Sequence, residues 1–201
     1  MRLFRSPVIA KYLFKSGIWK GKDKTAVYLT FDDGPHPEIT PWVLDLLEKE
    51  NIKATFFCVG QNAKKYPHLI ERILQAGHRI GNHTMTHENG TKTPFQTYIE
   101  SVKEAGNFTS EDLFRPPYGR ITPKQLKTVA KEMKVVFWSW ISYDFDSTIA
   151  SNIIIEKAKK IKGGDILVFH DSVKAEKNLK EALPSIIHQL KAKQLQFKNT
   201  Y

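Results

Sequence analysis

Two adjacent carboxylates, Asp32 and Asp33, follow an apolar run at residues 26–31 and precede the turn signal Gly34-Pro35. The run is typical of a buried strand, and the two acids lie at its C-terminal end. Because consecutive strand side chains point to opposite sides, the two carboxylates need not do the same job. One can bind a metal while the other handles a proton. The alternative is that both residues only cap a turn, where Asp before Gly is common.

A pair of histidines, His83 and His87, forms the second group that could do chemistry. They lie four residues apart, so on a helix or in a tight loop that begins one they share a face and suit one metal. No Glu lies between them, so the zincin signature is absent. With a carboxylate from another strand end they form a His-His-Asp set, which suits a catalytic zinc with room for water. Two incidental surface histidines are the alternative.

A stiff segment at residues 115–119 offers one cation and two backbone donors. Pro116 and Pro117 fix its backbone and remove two N–H groups. What remains is the permanent charge of Arg115 and the N–H groups of Tyr118 and Gly119. Such a segment can hold an ionised carboxylate and present a preorganised donor to an oxyanion. The alternative is a rigid surface turn with an exposed Arg.

A further histidine, His170, follows the apolar run at residues 166–169. A histidine there can titrate near neutrality and act as a general acid, and the alternative is a hydrogen-bonded structural histidine.

The sequence contains no G-x-S-x-G, P-loop or G-x-G-x-x-G motif, which argues against a serine hydrolase or a nucleotide-binding fold. The single cysteine, Cys58, excludes an internal disulfide framework.

Short apolar strands alternate with amphipathic helices, which predicts an α/β fold with a parallel sheet, either a barrel or a doubly wound sheet. We expect strands at residues 26–31, 53–59, 79–80, 113–115, 135–138 and 166–169. We expect helices capped by Thr40 and Thr122, and others over residues 67–77, 94–104, 153–161 and 178–190; Pro184 kinks the last or begins its regular part. Both folds place active sites at the carboxyl ends of strands. The titratable candidates all follow apolar runs: Asp32, Asp33, His83, Arg115, Asp144 and His170.

At 201 residues with 41% hydrophobic content, the chain is long and apolar enough for one domain with a sizeable core. The net charge is +10, and residues 1–24 hold seven basic residues against one acid. We therefore divide the chain into a basic N-terminal arm at residues 1–24 and a catalytic domain at residues 25–201. The arm can favour an anionic surface such as a membrane, an acidic polymer or nucleic acid, or it can pack against the domain.

The arm does not have the pattern of a secretion signal. Pro7, Lys11 and Lys15 break its apolar stretch, and no small-residue cleavage site follows. No stretch approaches the roughly 18 apolar residues of a membrane span. The sequence therefore leaves the location open between cell envelope and cytoplasm.

Taken together, the motifs resemble those of NodB-type polysaccharide deacetylases, which form carbohydrate esterase family four. The resemblance is carried by residues 30–35, 83–87, 115–118 and 168–171, and it extends from about Lys24 to the C-terminus. It implies a distorted, incomplete (β/α) barrel of about seven parallel strands. It also implies metal-dependent removal of acetyl groups from N-acetylated sugars, usually with zinc.

The resemblance also implies a role for each matching residue. Asp33, His83 and His87 would bind the metal. Asp32 would be the general base that takes a proton from the attacking water, and Arg115 would hold Asp32 ionised and oriented.

The remaining roles concern the intermediate and the leaving group. The backbone N–H of Tyr118 would share the oxyanion with the metal, His170 would protonate the leaving amine, and Asp144 would orient His170. Pro116 and Tyr118 would also line the substrate pocket.

Three positions depart from the family pattern. The family usually has Asp-Trp where this chain has Asp144-Phe145, an Asp where it has Ile141, and Leu where it has Val168. Phe145 and Val168 keep the pocket apolar but change its shape. The departures therefore bear on the choice of substrate more than on the reaction.

The expected function is zinc-dependent deacetylation of N-acetylglucosamine-containing glycans of peptidoglycan or chitin type, with Co²⁺ or Ni²⁺ as alternative metals. One rival is an amidohydrolase of the same fold that acts on a small non-sugar amide. Another is a non-catalytic binder of a glycan or anionic polymer. We expect a monomer with no nucleic acid partner, and a weak contact of the basic arm with a membrane or anionic polymer.

Overall fold

The computed structural model describes residues 3–110 and 112–201. Arg2, one of the basic residues of the arm, lies outside the described residues. The described chain contains eight strands: β1 (Ala26–Asp32), β2 (Thr55–Cys58), β3 (Arg79–Asn82), β4 (Leu113–Phe114), β5 (Lys134–Val135), β6 (Trp140–Ile141), β7 (Ile166–His170) and β8 (Gln196–Phe197). It contains eight α-helices: α1 (Val8–Leu13), α2 (Ile39–Lys49), α3 (Gly60–Lys65), α4 (Pro67–Gln75), α5 (Phe95–Gly106), α6 (Pro123–Val129), α7 (Ser151–Ala158) and α8 (Glu176–Ala192).

Seven parallel strands form the sheet in the order β5-β4-β3-β2-β1-β7-β6 and curl into a half-barrel. The short β8 pairs with β1 off this path. The expected fold class, an incomplete barrel of parallel strands, is confirmed. Central β1 is buried along its whole length, as strands covered on both faces are in parallel sheets.

The register of the strands brings their carboxyl ends together. Asp32 at the end of β1 pairs with Phe57 of β2 on one side and with His170 of β7 on the other. Asn82 at the end of β3 pairs with Phe114 of β4. Each of the residues that follow these strand ends therefore starts from the same edge of the half-barrel.

The main apolar core lies between the sheet and helices α2, α7 and α8. The Phe31 ring lies 5.0 Å from the Phe56 ring and 6.3 Å from the Phe169 ring. A second apolar cluster joins α5 and α6 to β4 and β5. Close packing of the two clusters fixes the central strands, and this fixes the positions of the side chains at the strand ends.

Several element boundaries differ from the expectations. Helix α2 begins at Ile39, one residue before Thr40, whose hydroxyl donates to Asp171 instead of capping the helix. By contrast, Thr122 forms the expected cap, as a reciprocal capping box with Gln125. Helix α8 begins at Glu176, so Pro184 does not mark its beginning.

Three short elements, α3, β6 and β8, were not expected from the sequence. The strand expected at residues 135–138 ends at Val135, and the following Val136 and Phe137 pair with Ile18 of the arm. Strand β6 has only two residues, and the six residues of α3 lack an apolar period.

The N-terminal arm packs on the half-barrel at both of its open edges. Arg5 forms a bridge with Trp140 of β6, while Ile18 forms one with Val136 just beyond β5. The buried carboxylate of Asp165 receives hydrogen bonds from Arg5 and lies 3.4 Å from the Lys20 ammonium. The arm thereby covers edges that would otherwise expose unpaired backbone groups. The boundary at residues 24 and 25 stays a prediction.

Replacing Trp19 by Ala tests whether the arm belongs to the folded unit. The Trp19 ring stacks on Phe137 at 4.3 Å, with 5° between the ring planes. We expect Trp19→Ala to lower the free energy of unfolding by about 2–3 kcal/mol, because a large aromatic contact is lost. Urea unfolding measures the effect.

The matched control is Tyr12→Ala, an aromatic truncation in the same arm at a side chain that is 69% exposed. It should change the unfolding free energy by no more than about 0.5 kcal/mol. Equally small effects at both positions would show that the Trp19–Phe137 stack does not stabilise the folded chain.

Candidate active site

The carboxyl ends of β1, β3, β4 and β7 surround a cavity of about 560 Å³. Eight of the residues expected in the site line it: Asp32, Asp33, His83, His87, Tyr118, Phe145, Val168 and His170. Arg115 and Asp144 are fully buried behind this lining. Pro116 is buried and is not among the lining residues. A second groove, of about 620 Å³ between α5 and the end of α6, contains none of the expected site residues.

Asp32 is held by a buried guanidinium. Arg115 Nη1 donates to Asp32 Oδ1 at 2.6 Å and to the Thr30 hydroxyl at 2.7 Å. The other donors of Arg115 reach the carbonyl oxygens of Val136 and Phe137 at 3.1 and 3.2 Å. Because both partners are buried, this charge-assisted hydrogen bond is weakly screened and fixes the orientation of the Asp32 carboxylate.

Asp33, His83 and His87 converge on one point. Asp33 Oδ1 lies 3.1 Å from His87 Nε2 and 3.8 Å from His83 Nε2. One ligand atom from each of the three residues lies within 4.8 Å of the others. Ligand atoms on a tetrahedral zinc are about 3.4 Å apart, given the usual Zn–N and Zn–O distances. The three side chains therefore have the donor types and the spacing of a divalent metal site.

Hydrogen bonds on the far side of each imidazole orient these ligands. His83 Nδ1 lies 2.8 Å from the Arg115 carbonyl oxygen, and His87 Nδ1 lies 3.1 Å from the Tyr118 hydroxyl. A carbonyl oxygen only accepts, so His83 Nδ1 carries the hydrogen and Nε2 keeps its lone pair. Such outer partners are typical of metal-binding histidines.

Electrostatics also favour the ligand forms of two of these residues. Burial lowers the pKa of His83 to about 4, more than the nearby Asp32 and Asp33 raise it, so the imidazole is neutral at pH 7. Burial opposes ionisation of Asp33, but a hydrogen bond with His87 and the nearby His170 and His83 outweigh it, and the pKa lies below its ordinary range. Neutral imidazole and ionised carboxylate are the forms that bind metals.

His170 and Asp144 form a separate pair. His170 Nδ1 lies 2.7 Å from Asp144 Oδ1, and the His170 backbone N–H donates to Asp144 Oδ2 at 2.9 Å. Ser142 and Asn178 add hydrogen bonds to the Asp144 side chain and carbonyl. Burial alone would lower the pKa of His170. The charge of Asp144 and its hydrogen bond outweigh burial and raise the pKa to about 9. The Phe145 ring packs edge-on against His170 at 4.8 Å.

The segment at residues 115–119 forms a tight turn beside the Asp33-His83-His87 group, called the metal-type site below. The Gly119 N–H donates to the Pro116 carbonyl at 3.0 Å and closes the turn. Of the two backbone N–H groups expected to be available, that of Gly119 is therefore already bonded within the chain. Tyr118 has a φ of 59° and presents its hydroxyl to His87. The oxyanion role of the Tyr118 N–H stays a prediction.

Backbone strain is concentrated at the cavity. Seven non-glycine residues among those described have a positive φ, and five belong to the segments around the cavity: Asp33, Thr84, His87, Tyr118 and Tyr143. This conformation is unfavourable for residues with a Cβ and persists where surrounding contacts determine it. Three of the five contribute directly to the metal-type site or orient its ligands.

Sequence reasoning missed a carboxylate that supports the Asp32-Asp33 loop. Asp171 is buried and accepts hydrogen bonds from the Gly34 N–H at 3.1 Å and the Thr40 hydroxyl. A Cβ at Gly34 would lie 2.1 Å from Asp171 Oδ2, so only glycine fits there. No local pattern pairs Asp171 with Thr40, because 131 residues separate them.

The cavity walls also contain residues that carried no signal in the sequence. Trp138, Tyr143, Ser172, Val173 and Lys174 line the cavity with the expected residues and Ile141. Aromatic and small polar residues occur throughout the chain, and only the fold assigns these to the site.

Residues 20–138 match the family model for polysaccharide deacetylases. A peptidoglycan-N-acetylglucosamine deacetylase of Bacillus cereus is 36% identical over 183 residues, which cover 87% of this chain and 66% of that protein. A chitooligosaccharide deacetylase of Azorhizobium caulinodans is 34% identical over 161 residues, or 75% of each chain. The crystal structure of the Bc1960 peptidoglycan N-acetylglucosamine deacetylase superposes with a TM-score of 0.84 at 32% identity, covering 96% of this chain and 94% of that one.

Replacing Thr40 by Val tests the support of the Asp32-Asp33 loop by Asp171. The change keeps the shape and removes the hydroxyl that donates to the buried carboxylate. We expect the unfolding free energy to fall by about 1–3 kcal/mol in urea titrations, because a buried acceptor loses its donor. Thr128→Val is the control, since that hydroxyl bonds only within an exposed turn of α6.

The pH dependence of this loss has a defined sign. Burial raises the pKa of Asp171 to about 7, and the Thr40 hydrogen bond opposes that rise. The hydroxyl therefore matters most when the carboxylate is charged, and the loss should be larger at about pH 8 than at about pH 5. A loss that is equal at both pH values, or larger at pH 5, would contradict this role.

Proposed function

Because the chain belongs to the polysaccharide deacetylase family, we propose that it hydrolyses the N-acetyl group of N-acetylglucosamine-containing glycans, of peptidoglycan or chitin type, and releases acetate. The observation that carries this proposal is the cavity in which Asp32, the Asp33-His83-His87 group and His170 face one another. A proton acceptor, a metal-type ligand set and a proton donor are the three components that amide hydrolysis requires at neutral pH.

The metal in this proposal is a divalent cation, zinc by preference, held by Asp33, His83 and His87. One carboxylate with two imidazoles at this spacing suits zinc, and Co²⁺ or Ni²⁺ accept the same donors. Such a cation, when bound, would acidify a water molecule and polarise the substrate carbonyl. The orienting partners of the two histidines support this assignment, since they direct both Nε2 atoms toward Asp33.

Asp32 is the general base in this mechanism. Its carboxylate takes a proton from the water that adds to the acetyl carbon. The 2.6 Å hydrogen bond from Arg115 to Oδ1 supports the role, because it fixes one oxygen and sets the direction of the other. Preorganisation of this kind removes the need to reorient the base during the reaction.

Two further groups act on the tetrahedral intermediate. The backbone N–H of Tyr118 donates to the oxyanion, and His170 gives its proton to the amine nitrogen as the C–N bond breaks. Acetate and a free amino sugar are the products. The raised pKa of His170 supports the acid role, since it keeps the imidazole protonated at neutral pH, and Asp144 is the positioning residue that produces it.

The apolar wall of the cavity receives the methyl of the acetyl group. Phe145 and Val168 stand on this wall beside His170, and Ile141 lies near them. Ile141 cannot accept a hydrogen bond from a sugar hydroxyl, and Phe145 has no N–H to donate. Recognition of the sugar therefore depends on other polar groups, of which Ser172 and Lys174 line the cavity.

The base assignment predicts that Asp32→Asn separates metal binding from turnover. We expect acetate release from acetylated chito-oligomers or peptidoglycan to fall by about 10²–10⁴-fold, the usual contribution of a general base. Bound zinc, measured by metal analysis, should remain at the wild-type level. His87→Ala is the matched variant that should lose both zinc and activity, and Asp45→Asn, at an exposed helical site, should lose neither.

Chelation extends the same experiment. Activity should disappear with a chelator and return with zinc. Unchanged turnover in Asp32→Asn would refute the base assignment. Absence of acetate release from every glycan by the zinc-loaded protein would refute the proposed function and leave the small-amide hydrolase or the non-catalytic binder.

The acid assignment predicts the alkaline limb of the pH profile. A general acid works only when protonated, so kcat should fall as pH rises through the pKa of His170. We expect this limb between the ordinary histidine value of 6.5 and about 9 in the wild type. Asp144→Asn removes the charge that raises the pKa while burial still lowers it, so the limb should move to lower pH.

Profiles of kcat against pH for the wild type and Asp144→Asn check this expectation, with Asp45→Asn as the control. A purely structural role for Asp144 would lower kcat at every pH and leave the limb in place. That outcome would contradict the assignment of Asp144.

A further inference from the structure

Helix α1 carries an apolar face that the folded chain leaves uncovered. None of its residues is buried, and Val8, Ile9, Tyr12 and Leu13 are each 69% exposed. Among the described residues, five of the nine exposed large apolar side chains lie between positions 3 and 13. Scattered exposed apolar residues are normal, but a contiguous group marks a surface that meets something other than water.

The chain holds this face outward by anchoring both of its flanks. On the N-terminal side, the Ser6 hydroxyl donates to the Trp138 carbonyl at 2.6 Å and the Phe4 ring contacts Tyr143. On the C-terminal side, the Ile18 N–H donates to the Val135 carbonyl at 2.7 Å and Trp19 stacks on Phe137. Both flanks of α1 are therefore fixed on the domain, while its four large apolar side chains stay mostly exposed.

The surroundings of this face are cationic. Lys11 and Lys15 lie in and next to α1, and Lys127 and Lys131 line the neighbouring groove together with Tyr12 and Leu13. No acidic residue lines that groove. The one acid of residues 1–24, Asp23, lies 2.6 Å from the Lys198 ammonium at the other end of the arm. Lys11 is half-buried and lies near Asp165, but Arg5 and Lys20 are also near it, so the charge around it stays positive. Apolar side chains bordered by lysines match an anionic lipid surface in both respects.

We propose that helix α1 and its four neighbouring lysines form a docking surface for an anionic lipid bilayer. Val8, Ile9, Tyr12 and Leu13 enter the boundary between headgroups and acyl chains, and the lysines contact the headgroup phosphates. Buried apolar area and attraction to anionic headgroups together set the strength of such an attachment. No helix among the described residues is long and apolar enough to cross a membrane.

A protein partner fits this surface less well. The apolar face is a single short helix of six residues, which is small for the hydrophobic centre of a stable protein interface. Its lysine border also disfavours a second copy of the chain, because two such surfaces would bring like charges together.

The segment that precedes this surface contacts the cavity wall of the proposed active site. The Tyr143 hydroxyl donates to the Leu3 carbonyl, and Tyr143 lines the cavity. The docking surface itself shares no residue with the cavity lining, so membrane binding and catalysis can be measured separately.

Co-sedimentation with vesicles tests the proposal on the full chain. The probes are vesicles of phosphatidylcholine alone and of an equal mixture of phosphatidylcholine and phosphatidylglycerol, at low salt and at about 0.5 M salt. We expect binding to the anionic vesicles that weakens with salt. The double variants Ile9→Ser/Leu13→Ser and Lys11→Gln/Lys15→Gln should each lower the partition coefficient by about tenfold or more.

The matched control is Leu74→Ser/Ile153→Ser, which removes two exposed apolar side chains at distant sites and should bind as the wild type does. Acetate release from soluble chito-oligomers should stay within about twofold of wild type in all these variants, which separates this proposal from the proposed function. Absence of binding to anionic vesicles would overturn the proposal. Self-association in solution that Ile9→Ser/Leu13→Ser abolishes would also overturn it, since a second copy would then cover the face.

Discussion

The buried guanidinium of Arg115 is the constraint on which both the sheet and the site depend. It is fully buried, lies 4.0 Å over the Phe57 ring and donates to Asp32, Thr30 and two carbonyl groups. Burying a cation is unfavourable unless its donors are satisfied and an opposite charge lies close. These contacts come from three segments of the chain: β1, β2 and the two residues that follow β5. The carbonyl oxygen of the same residue orients His83. One side chain and its own backbone thus link Asp32, the proposed base, to His83 and to the strand ends.

The two adjacent carboxylates differ because the strand ends between them. Asp32 still belongs to β1 and keeps its register with His170, so its side chain stays beside Arg115. Asp33 adopts a φ of 80°, which turns the chain out of the sheet and brings its carboxylate to His83 and His87. Asp171 stabilises this turn by accepting a hydrogen bond from the Gly34 N–H. The strain of one residue is therefore what allows neighbouring acids to face different partners.

The sequence allowed prediction of the site residues that lie at strand ends. It did not allow prediction of the contacts between residues far apart in the chain. Asp32, Asp33, His83 and His170 follow apolar runs, and parallel strands bring such positions together in any fold of this class. The Thr40–Asp171 hydrogen bond joins residues 131 positions apart, and strands of two residues such as β6 and β8 leave no period to detect. The arm was identified by its charge, yet its packing depends on the Trp19–Phe137 stack, which composition does not encode.

The metal-type site and His170, the proposed general acid, are linked through the charge of Asp33. That carboxylate is among the groups that raise the pKa of both His170 and Asp171. A cation held by Asp33 would cancel this contribution, because a bound metal is the largest charge in its surroundings. His170 would then release its proton more readily, while Asp144 would still keep the imidazole oriented. Occupation of the ligand set would thereby adjust the acid toward the neutral range, where proton transfer to the leaving amine is most effective.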